Sequence, residues 1–241
     1  MVVKARLPLD PVADLRRRLA RRTTRALRGT VVRWWADHGL ASHPAIVGKR
    51  IALALIEQRH TEPKLAGMLV LHELLADHLR ASDLPGFARL YADDHLADER
   101  VADWFATRVL GAVLARPRGR LDAVIALVGW RDAASPWQRR GACVALAGIA
   151  SQRDLGLPGL VPLVLSVCAS VLWSPERCDH LAAGWLLREL SRAEPERACA
   201  FFRRHARLMT RECARAAVAE LPAPVRAQLL AVHRRATTLT R

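Results

Sequence analysis

The stretch Ser135–Ser151, SPWQRRGACVALAGIAS, decides how this chain is read. Ser135 followed by Pro136 marks a helix start: a serine cap, then a proline whose fixed φ suits the first helical position. From Gly141 to Ala150 every residue is small or apolar, which predicts a buried helix. Its opening turn nevertheless carries an indole, Trp137, and two guanidiniums, Arg139 and Arg140. The N-terminal end of a helix already has positive dipole character, so two arginines there gain nothing locally and call for a negative partner.

Working outward, the periodic stretches share the helical period. LRRRLARRTTRALRG places Leu15, Leu19 and Leu27 on one stripe, and LAGMLVLHELLADHL repeats apolar residues at three and four. Alternating β-branched runs are not sustained. Prolines recur at short intervals, often just after Ser or Glu, as in SPWQ, SPER and EPER, where they open helices. About a dozen helices of about 10–18 residues result, joined by short turns. The segments 62–93, 98–130, 135–171, 176–206 and 209–236 each read as a helical pair of roughly 30 to 40 residues, the range of HEAT and armadillo arrays. The expected fold is therefore all-α: a curved solenoid of antiparallel helix pairs, one domain over residues 1–241, with N-terminal helices in 1–43. A closed helical bundle is the alternative.

The chain has 38 Lys+Arg against 23 Asp+Glu, a formal charge of +15, and only Lys4, Lys49 and Lys64 are lysines. A basic field of that size implies a polyanionic partner, nucleic acid first. The five cysteines, Cys143, Cys168, Cys178, Cys199 and Cys213, form no C-x-x-C pair and sit among small apolar residues, so reduced, buried thiols are expected, as in a cytoplasmic protein. The N-terminus shows no secretory h-region. The uncharged segment Leu155–Pro175 passes the length of a membrane span, but Pro158, Pro162 and Pro175 shorten the helix it could form to about four turns, so a buried helix is expected. The nine histidines are scattered without ligand spacing, and neither a metal nor a cofactor is expected.

Four places carry residues a core does not need. In DERVADWFATRVLG, Asp98–Gly111, the apolar face runs through Val101, Phe105, Val109 and Leu110, while Asp103 shares a flank with Glu99 and stands beside Trp104. A carboxylate beside an indole can steady a developing cation; the plain alternative is an exposed aspartate near a core tryptophan. The opening of Ser135–Ser151 adds Trp137, Arg139 and Arg140. In AAGWLLRELSR, Trp185, Arg188 and Arg192 share a face. In FFRRHARLMTRECARAA, Arg203, Arg204, Arg207, Arg211 and Arg215 recur at short spacing, a stripe fit to follow a phosphate backbone, or simply a solvated face.

EQRHTEPKLAGMLVLHELL, VADWFATRVLG, SPWQRRGACVAL and AAGWLLRELSRAEPERACAFFRRH, with LMTRECARAA behind them, together resemble the DNA alkylation repair family, the AlkD-type DNA glycosylases built from HEAT-like repeats. The resemblance covers about residues 45–220. It implies hydrolytic excision of N3- or N7-alkylated purines from double-stranded DNA in base excision repair, by a monomer that acts in the cytoplasm on the nucleoid. It further implies a carboxylate at Asp103 that stabilises the sugar cation and helps orient water, with Trp185 and Arg140 lining the lesion deoxyribose and its phosphates. Glu99, Trp104 and Trp137 would complete the lesion and sugar contacts, and Arg139, Arg140, Arg188, Arg192, Arg203, Arg204, Arg207 and Arg211 the backbone contacts. One departure stands out: where the family commonly has a tryptophan one turn before the aspartate, this chain has Glu99. That removes an indole and adds a carboxylate, which would either strengthen attraction for a cationic sugar or mark a relative with altered substrate or lost catalysis, bulky adducts included. A DNA-binding helical protein without catalysis, and a helical protein–protein scaffold or RNA binder, are the readings from other classes.

Overall fold

The computed structural model describes residues 10–20, 26–152, 157 and 159–238. Its regular elements among those residues are helices: α1 (Pro11–Leu19), α2 (Leu27–Asp37), α3 (Ala45–Ile56), α4 (Thr61–Leu69), α5 (Leu84–Ala92), α6 (Glu99–Phe105), α7 (Gly111–Leu114), α8 (Arg120–Gly129), α9 (Pro136–Ala150), α10 (Leu160–Val171), α11 (Arg177–Ala193), α12 (Pro195–His205), α13 (Arg211–Ala217) and α14 (Ala223–Thr238). The fold class is all-α. Residues 21–25 of the N-terminal leucine stripe and Pro158 of the uncharged segment lie outside the described residues; Leu15, Leu19 and Leu27 are all buried.

Two compact units organise the helices, one comprising Met1–Leu79 with Asp93–His95, the other Arg80–Ala92 with Leu96–Arg241. In the first, α1 packs on α2, α3 and α4, around the fully buried Trp34, whose Nε1 donates to the Pro11 carbonyl at 3.1 Å. Asp14 is shared there by His38 Nε2 (3.0 Å) and Arg18 Nε (2.8 Å). The hydrogen bond from His38, helped by the Arg18 charge, outweighs burial and holds the Asp14 carboxyl below the usual carboxylate range.

The second unit carries the candidate site and alternates between two layers. Helices α6, α9, α11 and α13 form a row, α9 against α6 and α11, and α11 against α13. On the other side, α8 and α10 pack on α9, α12 on α11, and α14 on α12 and α13. Successive helices thus take turns between the rows, as a series of stacked helical pairs does. Small residues let the row close up. A Cβ on Gly141 of α9 would meet the Tyr91 ring at 2.8 Å, and one on Gly184 of α11 would meet the Cys213 carbonyl oxygen at 2.9 Å. Tyr91 in turn donates to the Ala102 carbonyl (3.2 Å) and accepts at its own carbonyl from Ser135 Oγ (3.1 Å), which ties α5, α6 and α9 together.

Helix α9 has the expected start, with Ser135 Oγ accepting from the Gln138 N–H and Pro136 in the first turn. Pro195 likewise opens α12. Pro175 does not open α11: Ser174 Oγ accepts the Glu176 N–H at 3.1 Å, and the helix begins at Arg177. The uncharged segment yields α10, twelve residues with Leu160, Val164, Val167, Cys168 and Val171 buried, and among the described residues no helix is long and apolar enough to cross a membrane. All five cysteines are free thiols; burial holds Cys143 and Cys168 well above the ordinary thiol range and pushes Cys213 up to about 12.

A feature the periodicity does not announce is a π turn, Ala106–Leu110, between α6 and α7, which makes Glu99–Leu114 one continuous helical run. Within it Thr107 Oγ1 donates to the carbonyls of Asp103 (2.7 Å) and Trp104 (3.2 Å). Such single wide turns often sit beside functional residues, and this one begins three residues after Asp103.

Candidate active site

Asp103 and Glu99 lie one turn apart on α6, so their carboxylates project from the same flank. Facing them from α9 is Arg140, which is 3% exposed. Its Nε donates to Asp103 Oδ1 at 2.8 Å and its Nη2 to Asp103 Oδ2 at 2.7 Å, a bidentate fork. The same Nη2 donates to Glu99 Oε1 at 2.8 Å, and Nη1 to the Cys178 carbonyl in α11 at 3.2 Å. Burial alone disfavours the Arg140 charge, but the hydrogen bond and charge of Asp103, with the charge of Glu99, more than offset it and hold the guanidinium protonated. The cluster therefore has two anions and one cation, net −1, in a chain of net charge +15.

Arg139 finds its partner on the other side. Nε and Nη2 both donate to Asp179 Oδ2, at 2.9 and 2.6 Å, and Nη1 donates to the Ala133 and Ala134 carbonyls. The Asp179 side chain is 0% exposed, and among the described residues its Oδ1 has no hydrogen-bond partner. The negative partners that Arg139 and Arg140 require are thus carboxylates of their own chain. Expected at a DNA backbone, Arg139, half-buried, and Arg140, buried, are instead placed against these carboxylates. The sequence does hold a signal for this. Arg140 lies on the stripe of Cys143, Val144 and Ala147, and Asp179 on that of Ala182, Ala183 and Leu186. A charge on an apolar stripe marks an internal ion pair.

The remaining expected residues separate into two further groups. Trp185 is half-buried on α11, with the Arg188 guanidinium carbon 5.9 Å from its ring centroid. Both border an open groove of about 610 Å³ whose walls include Thr107, Gly111, Arg120 and Gly148. The groove begins at Thr107, one turn beyond Asp103; Asp103 itself is not in its lining. Arg188 and Arg192 are not free cations: Arg188 meets Glu189 at 2.9 Å, and Arg192 meets Glu189 at 2.8 Å and Glu220 at 3.0 Å. Trp104 and Trp137 are half-buried in α6 and in the first turn of α9.

Arg203, Arg204, Arg207, Arg211 and Arg215 are exposed, and none of them is held by an ion pair among the described residues. They do not form one helical stripe. Arg203 and Arg204 are in the last turn of α12, Arg207 in a 3₁₀ turn and Arg211 at the start of α13, because the chain leaves helical geometry between His205 and Thr210. Burial, and then the charges of Arg204 and Arg207, press the His205 pKa below the ordinary histidine value, as a locally positive surface does. Among the described residues, no group of three or more His, Cys, Asp or Glu is placed to hold a metal ion.

Compared with known proteins, residues 22–221 match the family described as DNA alkylation repair enzyme. No curated protein matches the chain at a significant level.

Arg139→Ala lowers the melting temperature by about 10 °C. Stranding a buried charge costs about 3–5 kcal/mol, and each kcal/mol is worth about 2–4 °C in a chain of this size. Replacing the pair together, Arg139→Met with Asp179→Leu, recovers most of the loss. Thermal unfolding of these variants beside Arg203→Ala checks this; equal shifts for Arg139→Ala and Arg203→Ala would contradict the internal role of Arg139.

Proposed function

The chain belongs to the DNA alkylation repair enzyme family, and from that premise we propose that it is a DNA glycosylase that hydrolyses the N-glycosidic bond of cationic N3- or N7-alkylated purines in duplex DNA. The observation that carries this reading is the Asp103–Glu99–Arg140 cluster, a net negative site on a strongly basic protein. A basic exterior suits a polyanion, and a negative spot within it suits a cation that the polyanion carries.

The chemistry needs little else. An N3- or N7-alkylated purine is already positive, so when the C1′–N bond breaks its electron pair goes to the purine, which leaves neutral and requires no proton from the enzyme. The positive charge passes to the sugar as an oxocarbenium-like centre. A carboxylate held in place before the reaction stabilises that charge without reorganising, as in glycosidases. Water then adds to C1′, and its surplus proton passes to solvent.

Asp103 is the counter-charge in this proposal. Each of its oxygens accepts one N–H from Arg140 and keeps a further lone-pair site, and its side chain is 21% exposed. Arg140 acts through the carboxylates as a positioning residue rather than through the lesion phosphate. Trp185 would stand along the groove as an apolar wall with a cation–π face, worth roughly 0.5–2 kcal/mol toward a cation depending on desolvation. Arg203, Arg204, Arg207 and Arg211 are among the exposed arginines that no ion pair holds among the described residues, and in this proposal they meet the phosphates.

The purified protein, incubated with methylated duplex DNA, releases 7-methylguanine or 3-methyladenine, read by chromatography of the free bases. Tight, salt-sensitive binding without base release would leave only a DNA-binding role. Replacing Arg203, Arg204, Arg207 and Arg211 together by alanine weakens duplex binding whatever its sequence. It also flattens the slope of log affinity against log salt by about 0.9 for each lost phosphate contact. An unchanged slope in a salt titration would remove these arginines from the interface.

A further inference from the structure

Two carboxylates have four oxygens, and Arg140 treats them unequally. Both Asp103 oxygens and Glu99 Oε1 accept its N–H groups. Glu99 Oε2 accepts no hydrogen bond among the described residues, and the Glu99 side chain is 57% exposed against 21% for Asp103. Arg177, whose charge reaches Glu99, does not take that oxygen: its fork meets Glu212 at 2.9 and 3.1 Å. The more accessible negative oxygen of the site thus belongs to Glu99.

We propose that Glu99 is a second carboxylate facing the reacting sugar, and that its Oε2 shares with Asp103 the counter-charge for the developing cation. The inference rests on the glycosylase reading of the site and adds a residue to it. Asp103 is held at both oxygens and is fixed in direction. Glu99 is held at one oxygen and presents the other outward. Arg140 positions both, and its single charge is shared between the two carboxylates.

The geometry also separates this role from a structural one. Glu99 supplies one of the acceptors of Arg140, while the Asp103 fork and the Cys178 carbonyl hold the guanidinium without it. Glu99→Gln keeps an oxygen for Nη2 and removes only the charge. Two duplexes read that charge without any reaction: one with a pyrrolidine abasic nucleotide, whose ring ammonium imitates the sugar cation, and one with its neutral tetrahydrofuran counterpart.

The parent protein binds the pyrrolidine duplex more tightly than the tetrahydrofuran duplex. Glu99→Gln loses about tenfold of that preference with tetrahydrofuran binding unchanged, and Glu99→Asp retains most of it. A parent without the preference, or a Glu99→Gln protein that keeps it in full, overturns the role of Glu99. A parallel base-release assay judges the glycosylase reading separately. Failure to release base with the pyrrolidine preference intact, and dependent on Glu99, defeats that reading and leaves charge recognition standing.

Discussion

One buried guanidinium, Arg140, joins three helices of the row on which the candidate site is built. It reaches Asp103 and Glu99 on α6 and the Cys178 carbonyl on α11 from its own place on α9. A buried cation without partners is costly, so the packing of α9 against α6 and α11 is inseparable from the placing of those carboxylates. The same contacts that stabilise the stack hold two negative groups a turn apart and prevent their mutual repulsion from splaying them. Structure and site share one interaction.

The arginines of this chain consequently do two kinds of work. Arg139 and Arg140 are internal, each answered by carboxylates from another helix, and Arg188 and Arg192 are bound up with Glu189 and Glu220. Arg203, Arg204, Arg207, Arg211 and Arg215 belong to the exposed arginines that no ion pair holds among the described residues. In the proposed reading a polyanion is drawn by the second group rather than by the first. This division lets a protein of charge +15 keep a negative site, which suits the proposed ligand, positive at one point and negative along its length.

Much of this was legible in the order of the residues. Ser135 and Pro136 announce α9, the run Gly141–Ala150 announces its burial, and Val101, Phe105, Val109 and Leu110 turn toward the core as their spacing demands. The pairing of Glu99 and Asp103 on one flank follows from helical geometry, but their capture by Arg140 does not, because the partners are about forty residues apart and only packing brings them together. The arginine run beyond Phe202 misleads for the opposite reason. Its spacing suits one helix, yet the chain turns after His205, so neighbours in sequence need not share a face. The π turn after Asp103 has no periodic signature; within it, Thr107 Oγ1 donates to the Asp103 carbonyl.

In the proposed reaction the carboxylate held by Arg140 is the counter-charge for a sugar losing its base. Asp103→Asn keeps an oxygen for the guanidinium and removes the charge, so single-turnover release of 7-methylguanine from duplex DNA, measured beside DNA affinity, tests it most directly. Release by the Asn variant is expected to slow by about a hundredfold or more, in the range lost with one such stabilising group, at nearly unchanged affinity. Release by the Asn variant at the rate of the parent would contradict it.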